Sequence, residues 1–468
     1  MRVSQRQRQL AIVFSVALLP ALSSCLARKT YKSPAAPTAE LFRTDAAKEA
    51  ADESLAQVPW TEVFSDSALR TLIAEAVEAN LDLQVAAARI ESAEANLLQG
   101  KGGLWPSLSV QGSGSAARLT ETFSAASGFA TRQFQLYAAA SWEADLWGKL
   151  TSAKKAALAQ VLASQAYKRA VQTRLVADVA ANYYTLLSLD AQLAITEKTI
   201  ETRHLYEETI ELLQKSGGVT GADVEQSRAN RLSAQLLLPD LKLQIRQVEH
   251  SLSILLARKP GPITRATLSE QTPQALLGTG VPSHLLQNRP DVQQAELAVR
   301  VAFEMINVAR AYFYPTLTLT ANSGLSSNAI SDLFNPAAWF SNAAAGLLQP
   351  IFNKNINRAR LKSSKATQAE ALALYKKTLL TAGKEVSDAL YSYDMALEKI
   401  AMRATQLASL EKAVEYNEEL LKFGSASYVD VLTSQQTLLG AQLSQVQDHA
   451  QKLRAVVELY RALGGGWR

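Results

Sequence analysis

The chain has 468 residues, of which 48% are hydrophobic and 19% are charged, a composition typical of folded protein and unlike that of disordered chains. The formal net charge is +5, but three arginines lie in the first 24 residues, and without them the balance is +2, with 45 basic against 43 acidic residues. Such a small surplus gives no electrostatic basis for binding nucleic acid.

Residues 1–24 have the pattern of a lipoprotein signal peptide. A basic segment with Arg2, Arg6 and Arg8 precedes an apolar stretch at 10–22, and serines precede Cys25, the single cysteine. This stretch resembles the lipobox, in which the cysteine is acylated and becomes the mature N-terminus. The alternative is an ordinary signal peptide with an unmodified cysteine. Acyl chains, at about 0.8 kcal/mol per buried methylene, would anchor the extended segment 25–65 in a membrane.

The target membrane is indicated by the residue after the cysteine. In the lipoprotein sorting of enteric bacteria, an aspartate at this position marks retention in the inner membrane. Leu26 stands there in this chain. We therefore expect Cys25 to be anchored in the lipid of the outer membrane.

The remainder of the chain contains two copies of one unit, because offsets of 209 and 207 residues align identical residues. The aligned pairs include Asp82 with Asp291, Pro106 with Pro315, Gly217 with Gly424, and Asp223 with Asp430. We divide this part into a first repeat at 66–257, a Pro/Gly-rich connector at 258–288, a second repeat at 289–463 and a tail at 464–468. The glycines at 464–466 predict turns or a flexible tail.

Each repeat predicts the same order of elements. A helix comes first, at 66–103 with a break near Asn80, and at 289–313. Segments of alternating polarity follow, which predict strands at 107–118, 132–146, 316–326 and 339–351. Long helices come next, between Gly148 and Gly217, where no Gly or Pro occurs, and at about 356–422.

The long helices indicate an assembly of helices. At 1.5 Å per residue, the first long helix would be about 100 Å long. A globular core does not require a helix of this length, whereas a coiled-coil assembly does. Each long helix ends at a glycine-bearing turn, 215–223 or 422–430, and a return helix follows. Pro239 lies inside the first return helix and should kink it or interrupt one hydrogen bond.

Four strands cannot close a barrel, and an open sheet leaves unpaired edges. The predicted strands have one apolar and one polar face, and they have the length that a membrane-spanning strand needs. If three chains each contributed four strands, a twelve-strand barrel would result. The alternative is two soluble hairpins packed on the helices.

Five segments, in chain order, carry a resemblance to a known family. They are PWTEVFSDSALRTLIAEAVEANLDLQVAAARI at 59–90, SWEADLWGKL at 141–150, NRPDVQQAEL at 288–297, ARAYFYPTLTLTANSG at 309–324 and FGSASYVDVLTSQQTLLGAQ at 423–442. Together they resemble the outer-membrane efflux family, the TolC-like channels, and in particular the lipoprotein branch typified by OprM and NodT. The resemblance implies a mainly α fold with a transmembrane β-barrel. In that fold a homotrimer forms twelve strands across the outer membrane and a long α-helical barrel in the periplasm.

The resemblance also implies a function: the exit duct of a tripartite efflux system, which conducts substrates passively. Its partners would be a periplasmic adaptor protein and an inner-membrane transporter of the resistance-nodulation-division type. We expect no enzyme activity and no cofactor beyond the covalent lipid on Cys25, since the four histidines lack metal-ligand spacing. Two alternatives remain open, the outer-membrane component of a type I secretion system and a non-pore periplasmic coiled-coil scaffolding lipoprotein.

The glycine turns are the candidate docking surface for the adaptor. In the family, the glycine that matches Gly217 and Gly424 lies in such a contact. The flanking residues are expected to frame shallow grooves between helix pairs, and they are Gly218, Val219, Phe423 and Ser425. The alternative is that the turns need glycine for their backbone conformation alone.

The candidate gate follows the turns. Asp223 and Asp430 begin the return helices, where a carboxylate can cap exposed N–H groups. In TolC-like channels the aspartate that matches Asp430 belongs to a constriction ring of the closed tip. The second aspartate of that ring corresponds to Thr433, and a locking arginine corresponds to Ala426. We therefore expect a weaker cation trap and a lock formed by other contacts.

Overall fold

The computed structural model describes residues 29–34, 55–117, 131–271 and 288–468. The predicted signal peptide, Cys25, most of the segment 25–65 and about half of the connector lie outside these residues. The described chain forms two compact units. The first unit contains the described parts of Met1–Ala35, Arg89–Ser164 and Gln294–Tyr375, and the second contains those of Ala36–Ala88, Gln165–Gln293 and Lys376–Arg468.

Nine α-helices occur in the described residues. They are α1 (Trp60–Val63), α2 (Ser67–Ala79), α3 (Leu81–Gly102), α4 (Lys149–Lys215), α5 (Gly221–Gln235), α6 (Leu237–Leu255), α7 (Pro290–Ala311), α8 (Ile356–Lys422) and α9 (Tyr428–Ala462). The two long helices, α4 and α8, have 67 residues each. In the described part of the chain, no helix is both long and apolar enough to cross a membrane.

The first unit contains a four-stranded antiparallel sheet. Its strands are β1 (Ser107–Ala117), β2 (Thr131–Ala144), β3 (Thr316–Ser327) and β4 (Trp339–Leu348), in the order β1-β2-β3-β4. The hairpin of each repeat therefore pairs with the hairpin of the other through β2 and β3. Among the described strands, β1 and β4 each have one neighbour, so each leaves one edge unpaired.

The register gives the sheet two different faces. One row across the strands is apolar and contains Leu108, Ala140, Ala321 and Ala343. The adjacent row contains Ser109, Ala139, Asn322 and Asn342, which places polar groups on the opposite face. The apolar side chains on the two edge strands are exposed to solvent in the single chain: Leu108 is 76% exposed and Leu347 is 69% exposed.

A glycine in β3 allows two aromatic rings to meet across the sheet. Gly324 lies between Tyr137 of β2 and Phe340 of β4, whose ring centroids are 6.0 Å apart in an edge-to-face arrangement. The Tyr137 hydroxyl donates to Oε1 of Gln111 in β1 at 2.8 Å. A Cβ atom on Gly324 would lie 2.4 Å from Cα of Tyr137. The close approach of these strands therefore requires glycine.

The second unit contains two helix breaks with identifiable causes. Asn80 separates α2 from α3 and caps α3, because its Oδ1 accepts from the backbone N–H of Asp82 at 2.9 Å. The second break separates α5 from α6 at Leu236. Pro239 lacks the N–H group that would bond to the carbonyl of Gln235, and its ring crowds that carbonyl. The equivalent helix of the second repeat, α9, has no such proline and is continuous over 35 residues.

The buried side chain of Arg289 is the centre of an ion network in the second unit. It is 4% exposed, and its guanidinium donates to Asp291, to Glu385 of α8 at 2.8 Å, and to the carbonyl of Ala462 in α9 at 2.7 Å. The bond to Asp291 is bidentate, at 3.0 and 2.6 Å. One side chain therefore joins the beginning of α7 to two other helices.

The C-terminal residues pack tightly, so of the two alternatives predicted for the glycines at 464–466, turns or a flexible tail, the structure shows turns. Gly464 has φ +90°, and a Cβ atom there would lie 2.6 Å from the carbonyl oxygen of Asn288. Gly465 lies against the ring of Tyr460, and the indole N–H of Trp467 donates to the Asn288 carbonyl at 3.1 Å. The glycines fit a crowded turn rather than a free end.

Candidate functional site

The two glycine turns have the same backbone geometry. At the end of α4, the N–H of Gly218 donates to Leu213 O and that of Gly217 donates to Gln214 O, at 2.9 and 3.0 Å. At the end of α8, Ser425 and Gly424 repeat these two bonds with Leu420 O and Leu421 O. This is the pattern of a Schellman motif. Gly217 and Gly424 have φ values of +78° and +68°, which favour glycine.

The two candidate gate aspartates belong to matching capping boxes. Oδ2 of Asp223 accepts from the backbone N–H and the hydroxyl of Thr220, at 2.8 and 2.7 Å. Oδ2 of Asp430 accepts from the same groups of Ser427, at 2.9 and 2.7 Å. The Ser427 hydroxyl, and then its N–H, lower the pKa of Asp430 from its usual value, because both stabilise the carboxylate. The T-x-x-D and S-x-x-D spacings were a sequence signal for these caps.

The surroundings of the two aspartates differ. Asp430 is exposed and Asp223 is half-buried. Thr433, one turn after Asp430, is exposed and donates its hydroxyl to the carbonyl of Val429 at 2.8 Å. Each aspartate is thus held by its own turn, and Thr433 is bonded to its own helix.

The residues that flank the turns differ in exposure. Val219 is half-buried and packs on an apolar cluster formed by Ile210, Val224, Tyr428 and Leu432. Phe423, by contrast, is 83% exposed, and Gly218 and Ser425 are exposed as well. Of the predicted docking residues, Phe423 therefore supplies a solvent-exposed apolar side chain, whereas Val219 packs into the apolar cluster beside the turns.

Tyr428 joins the helices of the two repeats, a role that sequence reasoning missed. Its ring stacks on that of Tyr206 in α4, with centroids 6.1 Å apart, and its side chain is hydrogen-bonded to Ser227 and Asn230 of α5. Burial raises the pKa of its phenol. The offset of 207 aligns Tyr428 with Gly221, so the duplicated pattern contained no signal for this contact.

Comparisons with known proteins give one consistent result. The family model described as "Outer membrane efflux protein" matches residues 72–258 and 281–465. The chain is 32% identical over 457 residues to the probable efflux pump outer membrane protein TtgC of Pseudomonas putida, which covers 95% of this chain and 93% of the relative. It is 30% identical over 461 residues to the cation efflux system protein CusC of Escherichia coli, covering 97% and 98%. A crystal structure of a membrane protein from Pseudomonas aeruginosa superposes with a TM-score of 0.87 at 28% identity, covering 94% of this chain and 97% of that one.

Proposed function

Because the chain belongs to the outer membrane efflux protein family, we propose that three copies of it form the exit duct of a tripartite efflux system. The chain is an outer-membrane efflux channel, and the prediction of its fold class and location is confirmed. The proposal adds the homotrimer, a periplasmic adaptor that docks on the glycine turns, and an inner-membrane transporter of the resistance-nodulation-division type. The last of these rests on the resemblance to OprM and NodT.

The open sheet is the observation that best supports a trimer. The described residues of one chain supply four strands, with two unpaired edges and an exposed apolar row. Unpaired backbone groups cannot remain at an edge inside a bilayer, because no water is available to satisfy them. Pairing β1 of one copy with β4 of the next satisfies both edges. Three copies give twelve strands, an even number within the usual range for such barrels.

Cysteine cross-links test this arrangement in purified protein. We expect Ser109→Cys in β1, combined in turn with cysteine at each position 341–346 of β4, to give a covalent trimer at one or two of these positions. The matched control is Ala139→Cys with Asn322→Cys, which are partners within one chain and should give a cross-linked monomer. Covalent dimers as the largest product, at every position, would exclude a closed ring of three.

The lipid on Cys25 is part of the proposal and gives its first prediction. Lys29, four residues later, is bound to α7: its N–H donates to Oδ1 of Asn307 at 3.2 Å, and Nδ2 of Asn307 donates to its carbonyl at 3.0 Å. Four residues span at most about 14 Å, so the acyl chains would lie close to the end of α7 that leads into β3. We expect Cys25→Ser to abolish acylation and signal cleavage while trimers still form.

Mass spectrometry of the mature N-terminus checks this prediction. The control is Ser24→Ala, which keeps a small residue before the cysteine and should be acylated normally. A wild-type protein with a free, unmodified N-terminus would contradict the lipoprotein assignment.

The second prediction concerns the docking turn. We expect Gly424→Trp to abolish efflux while trimer yield is retained, because a bulky side chain would cover the surface that the adaptor contacts. Gly424→Asn should retain efflux, since asparagine tolerates the left-handed conformation. Gly440→Trp is the control for bulk, because a Cβ atom there meets nothing within 4 Å and the position lies away from the turn. Minimum inhibitory concentrations of exported compounds in a deletion strain give the readout.

Two outcomes would limit the docking proposal. Normal efflux in Gly424→Trp would show that the turn is not the docking surface. Loss of trimers in that variant would support only a structural role for the glycine.

The third prediction separates the two aspartates. We expect Asp430→Asn to lower the cation selectivity of single channels and to weaken block by multivalent cations, because three exposed carboxylates around the axis would attract cations. Asp223→Asn should mainly reduce stability. In the wild type, selectivity should fall towards that of Asp430→Asn only at a pH below the usual range of an aspartate, because the lowered pKa of Asp430 keeps its carboxylate charged to a lower pH. Equal selectivity in wild type and Asp430→Asn at pH 7 would leave Asp430 as a helix cap.

The two alternative functions are less well supported than efflux. A non-pore scaffold does not explain the four-stranded sheet, and membership of the outer membrane efflux protein family favours a channel instead. Secretion of proteins uses similar channels, but TtgC and CusC are named as components of efflux systems, which favours efflux. Isolation of the adaptor with the native channel, followed by identification of its transporter, tests this choice.

A further inference from the structure

A buried arginine in α4 has donors that no described residue accepts. Arg203 is 5% exposed, and its Nη1 donates to the carbonyl of Asn230 at 2.7 Å. Among the described residues, Nε and Nη2 have no hydrogen-bond partner. These two nitrogens form one edge of the planar guanidinium, the edge that binds both oxygens of a carboxylate or similar anion.

The described part of the chain also supplies no counter-ion to Arg203. The acid one helical turn later, Glu207, accepts from Arg228 at 3.3 Å and from Arg231 at 2.6 Å. Burial lowers the pKa of Arg203, and only the phenol of Tyr428 acts in the opposite direction. A buried cation without an anion is costly, because its charge has lost the stabilisation of water.

A cavity of about 350 Å³ adjoins this arginine. Its lining comes from α4, α8 and α9, that is, from the long helices of both repeats. The polar side chains that line it with Arg203 include Lys198, Thr199, Glu418, Gln435, Gln442 and Gln445. The Glu418 carboxylate accepts from Nε2 of Gln435 at 2.9 Å, so it is engaged within α8 and α9.

We propose that Arg203, which lines this cavity, binds an oxyanion through its Nε–Nη2 edge once the side chains that cover these two buried nitrogens move aside. The ligand is a carboxylate, sulfate or phosphate group, because each offers two oxygens at the spacing of the guanidinium edge. Two sources fit this chemistry: a small anion from solution, and the carboxylate of Glu418 after it leaves Gln435. In either case the anion bridges helices of the two repeats next to Tyr428. The site does not depend on transport, and its test is a binding measurement.

The test uses the purified full-length channel in detergent with sulfate as the probe. Sulfate replaces chloride at constant ionic strength, and the unfolding midpoint is followed by circular dichroism. We expect a saturable rise for the wild type, since a ligand that binds only the folded state raises its stability. Arg203→Gln should abolish the rise. Arg203→Lys, which keeps the charge but cannot bind two oxygens side by side, should weaken the apparent affinity by about tenfold or more.

Two further variants distinguish the sources and the alternatives. Lys198→Gln removes the other cation that lines the cavity and should leave the response unchanged. Sulfate binding that is retained in Glu418→Gln identifies a solution anion as the ligand, whereas binding that appears only in Glu418→Gln identifies the Glu418 carboxylate as the resident oxyanion. The proposal would be overturned if sulfate stabilised neither the wild type nor Glu418→Gln. So would a response that Arg203→Lys keeps in full and Lys198→Gln loses.

Discussion

Replacement of Gly324 by valine is expected to abolish insertion of the channel into the outer membrane. A Cβ atom at this position would lie 2.2 Å from the carbonyl oxygen of Leu136 and 2.4 Å from Cα of Tyr137, both in the backbone of β2. Backbone cannot move aside as a side chain can, so β2 and β3 would have to separate. These strands join the hairpins of the two repeats, and their separation would remove the pairing on which the sheet depends.

The measurement is the amount of heat-resistant trimer in outer-membrane fractions. The matched control is Gly346→Val in β4, where a Cβ atom would lie 4.0 Å from its nearest neighbour, Thr318 O. We expect the control to insert at a normal level. Normal insertion of Gly324→Val would mean that the two strands are further apart in the assembled barrel than in the single chain.

Replacement of Arg289 by methionine is expected to destabilise the second unit by about 2–4 kcal/mol, because the buried carbonyl of Ala462 loses its donor and two partly exposed carboxylates lose their cation. Asp291 and Glu385 would lose a buried cation, and the carbonyl of Ala462 would lose its donor. The helices α7, α8 and α9 would then lose their common contact. Thermal unfolding followed by circular dichroism measures the effect.

The duplication provides the control. The offset of 209 aligns Arg289 with Asn80, which caps α3 and also donates to the carbonyl of Leu255 at 2.9 Å. Loss of a cap typically destabilises by about 0.5–2 kcal/mol, so Asn80→Ala should have the smaller effect. Equal effects would mean that the charge of Arg289 contributes nothing beyond the hydrogen bonds of a neutral side chain.

Local patterns predicted the elements because each boundary has a local cause. Gly148 and Gly217 border a stretch of helix formers, and the observed helix is Lys149–Lys215. The four alternating segments differ from the observed strands by at most three residues at any end. The break at Leu236 followed from the N–H group that Pro239 lacks.

Contacts between distant segments could not be predicted in this way. Arg289 appeared in the sequence only as part of a family motif, because its partners Glu385 and Ala462 lie 96 and 173 residues away. Tyr428 has no equivalent in the first repeat, so no periodicity pointed to it. The glycines at 464–466 fitted turns and a flexible tail equally well, since the crowding by Asn288 and Tyr460 that decides between them exists only after folding.

The break at Leu236 has a consequence for the symmetry of the assembled tip. In the proposed trimer, two matching turns per chain would place six turns around the axis, an approximate sixfold pattern. The return helices below them alternate, because three are divided at Leu236 and three are continuous. The turns share a backbone geometry but differ in their side chains, since Phe423 is exposed at one turn and Ser216 stands at the equivalent position of the other. A partner would therefore meet two classes of three sites, both at the turns and at the return helices. The duplication has thereby kept the backbone geometry of the turns repeated, while the return helices behind them differ in continuity.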